Sequence, residues 1–277
     1  MAFGALCRLV LAAALWLAAV VVPGLAAERV VSLNLCTDQL LVLLADRTQI
    51  ASVSFLAADP DLSYVADRID GIPLNHGALE EILPLSPDLV LAGAFAARPA
   101  VRLLQSRAIP VIDLPLADDF ATIAEQTRTV AEAIGQVERG EELVAEMTAI
   151  LADARAANAQ GADRTALAYQ ANGFTAGSDT LTDAVLSEAG YRNAAAEAGL
   201  AGYGFLPLER LVARPPDVLI APATLPGRPS LAEALLVHPA LAALDDRVDR
   251  LEIPSALLAC GGPFTAQAVA ALAAVQP

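Results

Sequence analysis

The chain has 277 residues, 56% of them hydrophobic and 18% charged, with a formal net charge of −15. Such a composition describes a globular protein that can bury one large core or two medium ones, and not a disordered chain. The acidic balance argues against a nucleic acid partner and against adsorption to an anionic membrane surface, and it suits docking on a basic partner.

Arg8 is the only charge before Glu28, Leu9 to Val22 is an unbroken apolar run, and Gly24-Leu25-Ala26-Ala27 supplies small residues. Residues 1–27 are therefore expected to be a secretory signal peptide, cleaved near Ala26 or Ala27. The run is short for a spanning helix, which needs about 20 apolar residues. The mature protein is expected in the periplasm. Cys7 leaves with the signal, and Cys36 and Cys260 remain in a compartment that permits a disulfide.

Arg29 to Leu33 reads as a buried strand, and Thr37 or Asp38 as the cap of a helix through Ala45. Ile50–Val53, Asp88–Ala92 and Pro110–Leu114 follow as strands, with a helix around Ala100 to Arg107. This alternation implies a mostly parallel sheet with helices packed on it. From Asp118 to Asn158 there is no strand-like run. Phe120 to Ile134 is one helix, Gly135 breaks it, and Gln136 to Asn158 is a second. Val137, Leu143, Val144, Met147, Ile150 and Leu151 recur on one face of that second helix. The alternation then resumes. Strands are expected at Thr165–Tyr169, Asp217–Ala221 and Val248–Ile253, and helices at Leu181–Ala189, from Leu231, and at Thr265–Val275.

One repeat ties the halves together. Leu79-Glu80 to Pro87-Asp88-Leu89-Val90 matches Leu208-Glu209 to Pro216-Asp217-Val218-Leu219, with Leu, Glu, Pro and Asp at the same spacing. Each copy reads as a short helix stopped before a Pro, then a strand. The copies flank the long helix and predict two equivalent lobes: residues 28–117 and 161–277, joined by a helical segment over 118–160.

Catalysis finds little support. No phosphate loop is possible without Lys, and no Gly-x-Ser-x-Gly elbow is present. The two His, His76 and His238, are too few for an ordinary zinc site. His76 reads as a cleft-edge residue or a metal ligand, and His238, before Pro239, as structural. No catalytic residue, bound cofactor or resident metal is expected. Open α/β sheets bind ligands beyond the C-terminal ends of their strands, and two facing lobes pool those ends in one cleft. The candidates there are Asn34, Cys36, Thr37, Phe55 and Phe95 from the first half. Asn172, Phe174, Thr175, Tyr203 and Phe264 come from the second. Aromatics at these places suit a flat, bulky ligand.

The ordered set of these features resembles the periplasmic binding proteins for vitamin B12 and ferric siderophores. It comprises the first strand and its loop, the 79–90 unit, the long helix, Tyr169 to Gly177 and Gly202-Tyr203-Gly204-Phe205. The resemblance implies an α/β protein of two Rossmann-like lobes joined by a single long backbone helix. A metal chelate would lie in the cleft, and closure would be small. It further implies a monomer that docks on an ABC permease dimer with its ATPase subunits, through Glu80 and Glu209. The family's cleft Trp has no counterpart, because the only Trp is Trp16. Cys36 and Cys260 both fall in cleft-side loops. A disulfide, thiols touching the ligand, and unpaired structural Cys are the three readings open there.

Overall fold

The computed structural model describes residues 26–94, 96, 98–158, 163–221 and 234–275. Residues 1–25 of the expected signal segment, Phe95 and the start of the helix expected from Leu231 lie outside these residues, whereas Ala27 is buried in the first lobe's core with its N–H donating to the Ala133 carbonyl.

The first lobe runs β1 (Val30–Ser32), α1 (Leu35–Leu44), β2 (Ile50–Ser54), β3 (Leu74–Asn75), α2 (Leu79–Ile82), β4 (Leu89–Gly93), α3 (Arg98–Ser106) and β5 (Val111–Leu114). Its strands form one parallel sheet in the order β3-β2-β1-β4-β5. Central β1 and β4 are buried along their whole length, as a sheet covered on both faces requires. Two helices follow, α4 (Phe120–Ala133) and α5 (Val137–Ala157). The second lobe then runs β6 (Thr165–Ala168), β7 (Phe174–Ala176), α6 (Leu181–Glu188), β8 (Arg192–Asn193), α7 (Ala194–Glu197) and β9 (Tyr203–Phe205). It continues with α8 (Leu208–Ala213), β10 (Val218–Ile220), α9 (Pro239–Ala242), β11 (Asp249–Leu251) and α10 (Ala266–Ala273). Its parallel sheet has the order β11-β10-β6-β8.

The repeat occupies equivalent places. β4 lies between β1 and β5, and β10 lies between β6 and β11. The repeated Asp does the same work in both copies. Asp88 accepts the backbone N–H groups of Glu28 (2.8 Å) and Arg29 (2.9 Å), and its own N–H donates to the Arg29 carbonyl. Asp217 accepts the Thr165 N–H at 2.7 Å, and its N–H donates to the Thr165 carbonyl. Each Asp thus fixes the register of a central strand against the strand beside it.

The connector belongs to both lobes. Phe120 and Ile123 of α4 sit in the second lobe's core with Val144, Met147 and Leu151 of α5, while Val130, Ala131 and Ile134 sit in the first lobe's core. Gly135, at φ +73°, takes the left-handed turn that ends α4. Gly140 lets the two helices approach closely, since a Cβ there would lie 2.5 Å from that of Ala131.

Two expectations are corrected, and two short strands are added. The cap of α1 is Asn34, whose side chain accepts the Thr37 N–H at 3.0 Å, and Thr37 and Asp38 lie inside the helix. The segments around Phe174 and Tyr203, read as loops, pair as an antiparallel ladder with Phe174 opposite Phe205 and Ala176 opposite Tyr203. The edge strands β3 and β8, of two residues each, carry too little pattern to be read from sequence.

Asp38 is fully buried and accepts from the Ser54 N–H at 3.0 Å and the Ser54 hydroxyl at 2.5 Å. Burial outweighs these hydrogen bonds and raises its pKa from 3.8 to about 6. Folding therefore takes up a proton between those two values, and stability falls as pH rises across that window. Roughly 3 kcal/mol is expected to go between about pH 4 and pH 7. Asp38→Asn keeps the shape without the charge, its Oδ1 accepting the Ser54 N–H and its Nδ2 donating to the Ser54 hydroxyl, so its stability should stay flatter across that range. Urea titrations of both proteins at the two pH values check this. Parallel pH profiles would remove Asp38 as the source.

Candidate functional site

The C-terminal ends of both parallel sheets open on one cleft between the lobes. Its wide part, about 520 Å³, is walled mainly by the second lobe: Phe174 and Thr175 of β7, Tyr203 of β9, Ile220, Ile253 and Leu258, with Leu116 from beyond β5. Apolar and aromatic groups dominate this wall. A narrower recess of about 50 Å³ adjoins it and shares Leu116, Tyr203, Leu258 and Ala259. Asn34, Thr37, Gly93, Asp118, Gln126 and the Cys36–Cys260 pair line that recess.

The polar groups of the recess are largely committed. Asn34 Oδ1 accepts from the Thr37 backbone and hydroxyl, and the Thr37 hydroxyl lies 2.7 Å from that of Ser32. Gly93 makes room for Asn34, because a Cβ there would fall 2.2 Å from Asn34 Nδ2. Gln126 donates to the Pro115 carbonyl at 2.9 Å. Asp118 is the exception: no described residue hydrogen-bonds or pairs with it. Partial burial, reinforced by the neighbouring Asp119 carboxylate, pushes its pKa upward. Burial likewise raises the Tyr203 phenol, and the charge of Asp118 raises it further, while the Leu181 N–H acts the other way. Asp118 and Tyr203 thus feel each other across the cleft.

Cys36, in the first turn of α1, and Cys260, ahead of α10, are joined in a disulfide, with their Cα atoms 5.2 Å apart. Cys36 therefore carries no thiol toward a ligand. The other candidates divide. Phe174 and Tyr203 stack in parallel, 6.0 Å between ring centres, and Phe205 meets Phe174 edge-on at 5.6 Å. Tyr203 is 52% exposed, so its ring is open to a ligand. Thr175 lines the wide part, but its hydroxyl donates to the Ala168 carbonyl at 2.6 Å. Phe55 is exposed and lines neither part of the cleft; it stacks at 5.0 Å on His76, whose ring Nδ1 lies 3.1 Å from Glu81.

Two further candidates are elsewhere. Phe264 is buried and stacks at 4.6 Å on Tyr64 of the first lobe, while Gln267 donates to the Tyr64 hydroxyl at 2.7 Å. It packs the lobes together and lies outside the cleft lining. Asn172 is an exposed turn residue at φ 57°. Neighbouring Gln170 lines the cleft in its place. His238 caps α9, its Nδ1 accepting the Ala240 N–H at 3.1 Å. Asp118, Leu116 and Leu258 were missed. The rule that ligands sit beyond strand C-termini reaches the first two once it is extended to β5.

Glu80 and Glu209 occupy equivalent places, in the first turns of α2 and α8. Both are exposed, and neither has an ion-pair partner among the described residues. Adjacent Glu81 is engaged by His76, through its backbone N–H at 2.6 Å and its ring.

Two α/β lobes with facing strand ends, a helical connector and a cleft between them define a solute-binding protein of the periplasmic type. Residues 30–245 match the periplasmic binding protein family, and the chain belongs to it. It is 28% identical over 213 residues to a cobalamin-binding protein of Halobacterium salinarum, across 76% of this chain and 58% of that one. The chain thus spans less than two thirds of that relative's length. Among solved structures, a periplasmic heme-binding protein from a Roseiflexus species superposes with a TM-score of 0.72 at 24% identity, covering 90% of this chain and 97% of that one. The periplasmic vitamin B12 binding protein of Vibrio cholerae gives 0.68 at 20% identity, covering 90% and 96%. These solved neighbours share the two-lobed fold.

Proposed function

We propose that the chain is the solute-binding component of an ABC importer, exported to the periplasm. It captures a metal chelate, a corrinoid or a ferric siderophore, and hands it to the permease without catalysing a reaction. The observation that supports this most is the wide cleft walled by Phe174, Tyr203 and aliphatic side chains where the two sheets face each other. Such a wall gives a flat, bulky ligand its contact area, with few polar anchors. The cobalamin-binding relative supports the corrinoid side of the reading. A receptor for a bare ion is less supported: among the described residues no three His, Cys, Asp or Glu side chains come together.

Fluorescence or calorimetric titration of the purified protein with cyanocobalamin, a ferric hydroxamate and haemin tests the proposal. At least one chelate should bind with micromolar affinity or better, an energy of about 8 kcal/mol. A protein that takes none of them, from a strain whose chelate uptake survives deletion of the gene, would not be this receptor.

A further inference from the structure

Among the described residues the cleft lining is nearly free of charge, and that narrows what this lining favours. Across both parts of the lining, Asp118 is the only ionisable acid or base among the described residues, apart from the Tyr203 phenol. Among the described residues no arginine lines the wall there to meet an anion. Asp118 itself has no protein partner among those residues, so its carboxylate oxygens remain free acceptors in the recess. The oxygens of Asn34 and Thr37 beside it are already engaged by the cap of α1. A ligand group with an N–H to donate would find Asp118 waiting. A carboxylate there would meet like charge in a partly desolvated place with no described cation to offset it, which is costly.

We propose that Asp118 accepts a hydrogen bond from an N–H donor, a carboxamide or an ammonium, on the rim of the bound chelate, and thereby disfavours chelates whose rim carries carboxylates. This rests on reading the cleft as a chelate site and adds the residue that sorts one chelate from another. A hydrogen bond to a charged group is worth about ten- to a hundredfold in affinity.

The test uses the mature protein and two forms of one ligand: cyanocobalamin, with its rim of carboxamides, and its monocarboxylic acids, with one carboxamide hydrolysed. Haemin, with its propionates, is the third probe. The wild type should prefer the amide form over the acid that faces Asp118 by about tenfold or more. Asp118→Ala should weaken the amide form by about tenfold. Asp118→Asn should retain much of the amide affinity while gaining affinity for the acid. Asp118→Arg should favour the acid and haemin. Melting curves show whether each variant folds, and the near-isosteric Asn variant carries the test if the others do not. A wild type that prefers the acid or haemin overturns the proposal. So does an Asp118→Asn protein with an unchanged ratio of affinities, and in that case tight wild-type binding leaves the chelate reading standing. A wild type that binds no chelate removes that reading and this proposal with it.

Discussion

Replacing Cys36 and Cys260 together with Ser is expected to lower the melting temperature by about 10–20 °C. The bond closes a loop spanning 224 positions of sequence. On the chain-entropy estimate such a cross-link destabilises the unfolded chain by about 5 kcal/mol. It also has a particular place in the fold. One sulfur belongs to the first turn of α1 and the other to the loop ahead of α10, so the bond ties the lobes together beside the recess of the cleft. Without it the lobes keep the α4–α5 connector, the stack of Phe264 on Tyr64 and the Gln267–Tyr64 hydrogen bond. The variant should therefore still fold. Calorimetry of the double variant, and of the wild type with and without reductant, measures the loss. A melting temperature within about 3 °C of the oxidised wild type would mean that the bond contributes little.

The sequence made some of this legible and hid the rest for physical reasons. Alternation of short apolar runs with helical stretches carried both parallel sheets, because strands such as β1 and β4 are buried on both faces. The repeat was visible as Leu, Glu, Pro and Asp at one spacing. That its Asp clamps a neighbouring strand was not, since Asp88 and Arg29 are far apart in the chain. The aromatic ladder was misread because its glycines look like loop. They answer close approach: a Cβ on Gly177 would lie 2.0 Å from the Leu200 carbonyl oxygen, and one on Gly204 would lie 2.7 Å from the Leu200 side chain. Phe264 was placed in the cleft because it follows a strand-end loop. Its stacking partner Tyr64 lies in the other lobe, and no local pattern announces that pairing. Asn34 and Thr37 line the recess of the cleft, but helix capping takes their oxygens first.

If the chain serves an ABC importer as proposed, reversing both Glu80 and Glu209 to Arg is expected to abolish uptake while ligand affinity stays within about twofold of the wild type. Both carboxylates stand exposed in the first turns of α2 and α8, one on each lobe. They occupy the same place in the two copies of the repeat, so an equivalent pair of basic groups on a dimeric partner could engage both. Neither residue lines the cleft, which separates docking from capture. Charges at the rim of an interface act mainly on association rate and orientation, and like charges brought face to face cost several kcal/mol. A cost of about 3 kcal/mol already weakens docking roughly a hundredfold. Each single reversal should give an intermediate loss, and raised salt should narrow the gap between wild type and single variant. Glu81→Gln is the matched control. Glu81 neighbours Glu80 in sequence, but it is held by His76 and is not free to reach a partner. Binding of the protein to permease in detergent, measured beside uptake in cells, reads both effects. Should the double reversal dock and support uptake like the wild type, the two glutamates are ordinary surface carboxylates, and the permease must recognise another part of the lobes.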